Sequence, residues 1–228
     1  MDLNRYSVIE KGMKREMLLL KGTGCRWRKC TFCDYYLDYD SSPFLFNKEI
    51  LDKVSGVHGV LDIINSGSCF EYDDETLNYI RSVVEKKNIN VLWLECHYMY
   101  KDRLNEMASF FPCSVKFRCG VETFNPALRS LWNKGIAESV TAEDIARYFS
   151  GVCLLCGIKG QSKRDIISDI ETAEKYFEYY SVNLFCKNSR RVEIDEDLRR
   201  FVINEVPNLI KDSSKAELLI NNTDLGVG

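Results

Sequence analysis

Short apolar, β-branched runs alternate with longer stretches of helical periodicity along almost the whole chain, and this alternation constrains the fold more than any other feature. Strands are expected at Met17–Leu20, Val60–Ile64, Val91–Leu94, Val115–Val121, Val152–Gly157 and Val182–Cys186. Helical patterns lie between or after them at Lys48–Val54, Asp74–Lys86, Arg103–Phe110, Ala142–Tyr148, Arg164–Tyr179 and Glu196–Glu205. Parallel strands need crossover connections, which are right-handed, and a series of such units curls a sheet with its helices outside. The expectation is an α/β fold, an open partial (βα)6 barrel. No Pro-rich linker, low-complexity tract or charge block divides the 228 residues, of which 45% are hydrophobic, so a single domain over 1–228 is expected. The final KAELLINNTDLGVG has no clear assignment.

In parallel α/β barrels chemistry gathers where the strands end and the βα loops begin. Read in order, those positions carry GTGC (Gly22 to Cys25), NSGS (Asn65 to Ser68), ECHY (Glu95 to Tyr98), GVET (Gly120 to Thr123), GIKGQ (Gly157 to Gln161) and KNSRR (Lys187 to Arg191). Each contains glycine or a hydrogen-bonding group.

A formal net charge of −3 gives no general reason to hold nucleic acid, since non-specific phosphate binding needs a basic surface. No apolar run approaches bilayer length, and the opening MDLNRYSVIEKGMKREM is too charged for a signal peptide, so a soluble cytoplasmic protein is expected. Ten cysteines fit either a secreted disulfide framework or a thiolate-bound metal centre inside a cell. Several lie within apolar runs such as VCLLC and VNLFC, where they act as small hydrophobes, and so many oxidisable thiols point to a reducing cytosol and an anaerobic host.

Three further cysteines fall within nine residues, Cys25-Arg-Trp-Arg-Lys-Cys30-Thr-Phe-Cys33, directly after the first predicted strand. Three thiolates on a 4Fe-4S cluster leave one iron open to a small molecule. A closed zinc site on a non-catalytic interaction protein is the competing reading; it needs a fourth ligand, for which Cys69 or His97 are the candidates. Flanking Arg26, Arg28 and Lys29 either are solvated or offset the cluster's negative charge.

With Phe32 immediately before the third cysteine, the chain resembles the radical S-adenosylmethionine (SAM) family over nearly its whole length. It departs from the family's C-x3-C-x-aromatic-C pattern by one extra residue between Cys25 and Cys30. The resemblance implies a 4Fe-4S cluster on Cys25, Cys30 and Cys33, SAM at the open iron, and Phe32 near the adenine. It places Ser66, Gly67 and Ser68 where the family often carries a Gly-Gly-Glu motif for the methionine amino group, here without the glutamate. Glu122 resembles the carboxylate that meets SAM polar groups, Gly157, Ile158 and Gly160 the segment that packs on adenine, and Lys159 a partner for the SAM carboxylate. An external one-electron donor, ferredoxin or flavodoxin, is implied, because no second cluster motif follows.

The compact length with the NSGS, ECHY and GVET segments is similar to one branch, the radical SAM queuine lyases. That likeness implies hydrogen abstraction from the cyclopentenediol ring of free queuine. Breakage of the bond to the exocyclic nitrogen then releases 7-aminomethyl-7-deazaguanine and a five-carbon fragment. Glu95, His97 and Asn183 suit the substrate's N–H and hydroxyl groups, with Tyr35 and Arg118 at the rim and Cys96 as a hydrogen-atom donor. A radical SAM enzyme acting on a tRNA base, or on another small molecule, is the alternative.

Overall fold

The computed structural model describes residues 4–221, which form two compact units. One is built from the chain up to Arg28 together with Tyr35–Arg118, the other from Lys29–Asp34 together with the chain from Cys119 onward.

In the first unit β1 (Tyr6–Ile9) lies antiparallel to β2 (Arg15–Leu20), and β3 (Val60–Asn65), β4 (Val91–Glu95) and β5 (Ser114–Glu122) follow in parallel order. β5 continues into the second unit, whose strands β6 (Gly151–Cys156), β7 (Tyr179–Leu184) and β8 (Ala216–Leu219) pair in parallel. The predicted strands are all present, and β1 and β8 are additional. β8 takes up part of the unassigned C-terminal stretch; the rest of it from residue 222 lies outside the described residues.

Strands covered on both faces read as continuous apolar runs. Met17–Leu20, Leu61, Ile63, Leu92 and Leu94 accordingly form the first unit's core with Ile80 and Val84 of α2 (Asp74–Lys86). In the second, Leu154, Val182 and Leu184 pack with Phe201 and Val202 of α7 (Glu196–Asn204). α1 (Phe44–Leu51) and α3 (Leu104–Phe110) complete the first unit; α4 (Pro126–Leu131), α5 (Ala142–Ala146), α6 (Lys163–Tyr176) and α8 (Val206–Ile210) belong to the second. The helices begin where their sequences supply caps. Asp73 accepts from Thr76 N ahead of α2, Asn125 caps α4 before Pro126, and Ser162 forms a capping box with Asp165 at α6.

A buried ion triad ties three strands of the first unit together. Arg118 makes a two-pronged bond to Asp62 at 3.0 Å, and Arg15 Nε adds a third at 3.0 Å. All three side chains are at most 3% exposed. Burial pushes the Asp62 pKa up, yet Arg118 and then Arg15 outweigh it and hold the carboxyl below its ordinary value.

Candidate active site

In the first unit the chain leaves β2 through Gly22 and reaches Cys25, whose Sγ accepts from Arg28 N at 3.3 Å. The NSGS segment after β3 folds beside it. Ser66 is buried and its hydroxyl donates to Asp38 O. The buried Ser68 hydroxyl accepts from His97 N at 2.9 Å. A Cβ on Gly67 would stand 3.2 Å from Cys25 Cα and 2.0 Å from a carboxylate oxygen of Glu71, so only glycine permits this approach. Glu71 was not foreseen. It ends a short 3-10 helix (Cys69–Glu71), is buried, and accepts from Arg26 N, Ser68 N and the Tyr100 hydroxyl. Burial raises its pKa, and these three bonds restrain the rise.

The ECHY segment closes this group. Trp27, between the first two motif cysteines, stacks on the His97 ring with centroids 5.5 Å apart, and His97 Nδ1 accepts from Met99 N. Glu95 ends β4 half-buried, in register with Arg118, whose guanidinium is committed to Asp62. Cys96 is fully buried; a hydrogen bond with Cys69, then burial, push its thiol pKa upward. Tyr35 opens a 3-10 turn (Tyr35–Leu37) and is half-buried. The Asn65 amide is fixed by its Nδ2 donating to Ser68 O at 3.0 Å, which leaves Oδ1 buried without an acceptor's partner.

The second unit holds Cys30 and Cys33, which pack on a buried cluster of Phe32, Trp132, Leu155, Ile158 and Phe185. Phe32 and Ile158, both expected near adenine, are thus brought together. Glu122 ends β5 with φ 67°, a left-handed backbone that a residue with a side chain adopts only at a cost. Its carboxylate binds Lys134 Nζ at 2.7 Å. Burial works to lower the Lys134 pKa, but Glu122 and then the Cys30 sulfur lift it well above the ordinary value. The ammonium also lies 5.9 Å from the Phe32 ring centroid. A Cβ on Gly120 would sit 2.8 Å from Glu122 Oε1 and 3.1 Å from Lys134 Nζ. Lys134, like Glu71, carries no motif that sequence reasoning could have used.

Gly157 has φ 91°, and a Cβ there would meet Leu184 Cδ1 at 2.9 Å. Lys159 lies exposed and pairs with Glu193 at 2.5 Å. Asn183 on β7 is 7% exposed, and its Oδ1 is an unpartnered buried acceptor. The loop after β7 is bolted to the cysteine segment, with Asn188 Nδ2 donating to Phe32 O, Ser189 N to Asp34 Oδ2 and Arg190 Nε to Thr31 O. A cleft of about 470 Å³ lies between Thr31 and Ser189–Val192. All ten cysteines are thiols. Among the described residues no three His, Cys, Asp or Glu side chains are grouped as around a metal ion, and no helix is long and apolar enough to cross a membrane.

A parallel α/β series with a C-x4-C-x-Phe-Cys loop after β2, Ser-Gly-Ser after β3 and Glu122 at the end of β5 agrees with the radical SAM class, which a comparison with a solved structure establishes. No protein-family model matches the chain. A solved queuine lyase from Clostridium spiroforme, bound to SAM and queuine, is 39% identical, covers 100% of both chains and superposes with a TM-score of 0.93. The chain belongs to this family, the radical SAM queuine lyases, and the expected fold class is borne out. A curated relative, the uncharacterized protein MJ0550 of Methanocaldococcus jannaschii, is 27% identical over 152 residues; these are 57% of this chain and 40% of that protein's length.

Proposed function

We propose that the protein is a lyase that cleaves the carbon–nitrogen bond of free queuine and releases 7-aminomethyl-7-deazaguanine and a five-carbon fragment. The observation that carries this reading is the full-length 39% identity to an enzyme holding both SAM and queuine. We further propose that one domain carries the activity, with a 4Fe-4S cluster on Cys25, Cys30 and Cys33. A cluster held by these three cysteines would supply the electron for reductive cleavage of SAM, and the 5'-deoxyadenosyl radical so released would abstract a ring hydrogen.

The donor set suits that cofactor, since thiolates are the ordinary ligands of iron–sulfur clusters. The Lys134 ammonium beside Cys30 offsets thiolate charge, and its 2.7 Å bond to the Glu122 carboxylate compensates the ammonium's burial. Asn65 Oδ1 and Asn183 Oδ1, buried acceptors that lack donors, fit ligand N–H groups, which recovers the cost of leaving them bare. Ser66, Gly67 and Ser68 offer carbonyls and hydroxyls to the SAM ammonium. Phe32, with Ile158 and the bare backbone of Gly157, forms the apolar wall for adenine. Glu122 meets SAM polar groups, and Lys159 the SAM carboxylate.

Glu95, His97 and Asn183 take queuine's polar edge, with Tyr35 at its periphery; Arg118, expected at the rim, is instead a buried partner of Asp62. Ser68 and Trp27 hold His97 from backbone and ring, so its imidazole is oriented before substrate enters. Cys96, a buried thiol beside the His97 carbonyl, gives a hydrogen atom to a product radical, and the thiyl so formed is restored by one electron from the external donor and a proton. The protein works in the reducing cytoplasm, with flavodoxin or ferredoxin as electron donor.

Anaerobic reconstitution with iron and sulfide, followed by dithionite, SAM and queuine, is expected to yield 5'-deoxyadenosine and 7-aminomethyl-7-deazaguanine together by mass spectrometry. Deoxyadenosine without the deazaguanine product would remove queuine as substrate. Neither product, where a known radical SAM enzyme works, would remove the class.

A further inference from the structure

We propose that Glu71 is the positioning residue of this site, a single anchor that fixes Cys25 and the Ser66–Ser68 loop in one relation to each other. The inference rests on the reading of Cys25 as a cluster ligand, but its geometry lies wholly in the first unit and can be tested without the cluster.

Glu71 engages the cysteine loop through both its side chain and its backbone. Its carbonyl oxygen accepts from Thr23 N at 2.7 Å and from the Thr23 hydroxyl at 3.0 Å, two residues before Cys25. Its Oε1 accepts from Arg26 N at 2.8 Å, one residue after. The peptide joining Cys25 to Arg26 is planar, so holding that N–H fixes one of the two peptide planes flanking the cysteine and limits where its sulfur can point. The other carboxylate oxygen accepts from Ser68 N at 2.8 Å. One rigid carboxylate therefore sets the orientation of two loops.

Two glycines let the loops close on this residue. A Cβ at Gly22 would come to 3.0 Å from Glu71 O, and one at Gly67 would collide with Glu71 Oε2 while crowding Cys25 Cα. Tyr100 donates to Oε1 at 3.1 Å and braces the carboxylate from behind. The family's Gly-Gly-Glu pattern is broken in sequence, yet a glutamate arrives over Gly67 by way of the 3-10 turn. Three of its four lone-pair positions already serve the protein, two on Oε1 and one on Oε2, so the carboxylate is held chiefly as a brace for the loops.

The test is thiol alkylation of the metal-free, reduced full-length protein, followed cysteine by cysteine by peptide mass spectrometry. In Glu71→Ala, Cys25 should react roughly tenfold faster or more, the scale set by losing charge-assisted hydrogen bonds, while Cys30 and Cys33 keep their wild-type rates. Glu71→Gln retains one acceptor but turns an amide donor toward a donating N–H, so its Cys25 rate should fall between. Tyr100→Phe should give a smaller rise and serves if Glu71→Ala does not fold. After reconstitution, Glu71→Ala should also alter how added SAM shifts the reduced cluster's electron paramagnetic resonance. An unchanged Cys25 rate in folded variants, or an equal rise at all three cysteines, would overturn the proposal. If Cys25 is selectively freed while wild-type protein produces no deoxyadenosine, the positioning stands and the functional reading fails.

Discussion

Cys96 shows how far a residue's role can be read from its type and how much depends on its surroundings. A cysteine after a strand is ordinarily a small apolar filler. Here the side chain is fully buried beside Glu95 and His97, its Sγ donating to His97 O, so a thiol sits within the segment expected to meet the substrate. Cys96→Ala removes little volume and should cost about 1 kcal/mol of stability. It should also uncouple the reaction, raising the ratio of 5'-deoxyadenosine to 7-aminomethyl-7-deazaguanine several-fold over wild type in end-point assays. An unchanged ratio would return Cys96 to the filler role. The same contrast separates legible from illegible residues elsewhere. Cys25, Cys30, Cys33, Ser66 and Glu122 are marked by spacing and by their place after strands. Lys134 and Glu71 sit in segments of ordinary composition, and only folding brings them to Glu122 and Cys25.

At the scale of elements, apolar runs located the inner strands because those strands are covered on both faces, whereas β1 and β8 have four residues each and are mostly half-buried. Their alternation is too brief to register. Tyr179 falls at the end of a predicted helix but begins β7 together with Tyr180, since both rings bury against the core at 3% and 1% exposure. Asp62, an acid inside an apolar strand, marks the point where β2, β3 and β5 are tied together. Asp62→Ala leaves two buried guanidinium groups without their carboxylate and should destabilise by about 3–5 kcal/mol in urea unfolding. Asp169 on α6 makes the opposite kind of junction. It accepts from Phe124 N in the loop after β5, and burial raises its pKa to about 7. Folded protein then binds this proton more tightly than the unfolded chain does, so its stabilising effect is complete below about pH 4 and is lost as pH rises through about 7. The loss amounts to at most roughly 4 kcal/mol. Asp169→Asn, which can still accept from Phe124 N, should flatten that slope in thermal unfolding between about pH 5 and pH 8.

For the molecule as a whole, net charge conceals where charge is placed. The chain carries −3, yet the loop after β7 sets exposed Lys187 and Arg191 and half-buried Arg190 against Thr31–Asp34, beside exposed Lys29. The acids nearby are partly engaged: Asp34 accepts from Ser189 N, and Glu193 pairs with Lys159. A basic rim on the Cys30–Cys33 segment of an otherwise acidic protein suits an acidic one-electron carrier such as flavodoxin, because opposite surface charge speeds encounter more than it strengthens the final complex. Reduction of the reconstituted protein by flavodoxin should therefore slow as salt rises from roughly 50 to 300 mM, where screening shortens the reach of surface charge. Lys187→Glu combined with Arg191→Glu should slow it about tenfold at the lower salt and remove most of the salt dependence. Arg190 is left in place because its guanidinium holds Thr31 O. Dithionite needs no docking surface, so turnover driven by it should match wild type in the same variant. Equal losses with both reductants would locate the damage in the site itself, and no loss with either would place the carrier's approach elsewhere on the surface.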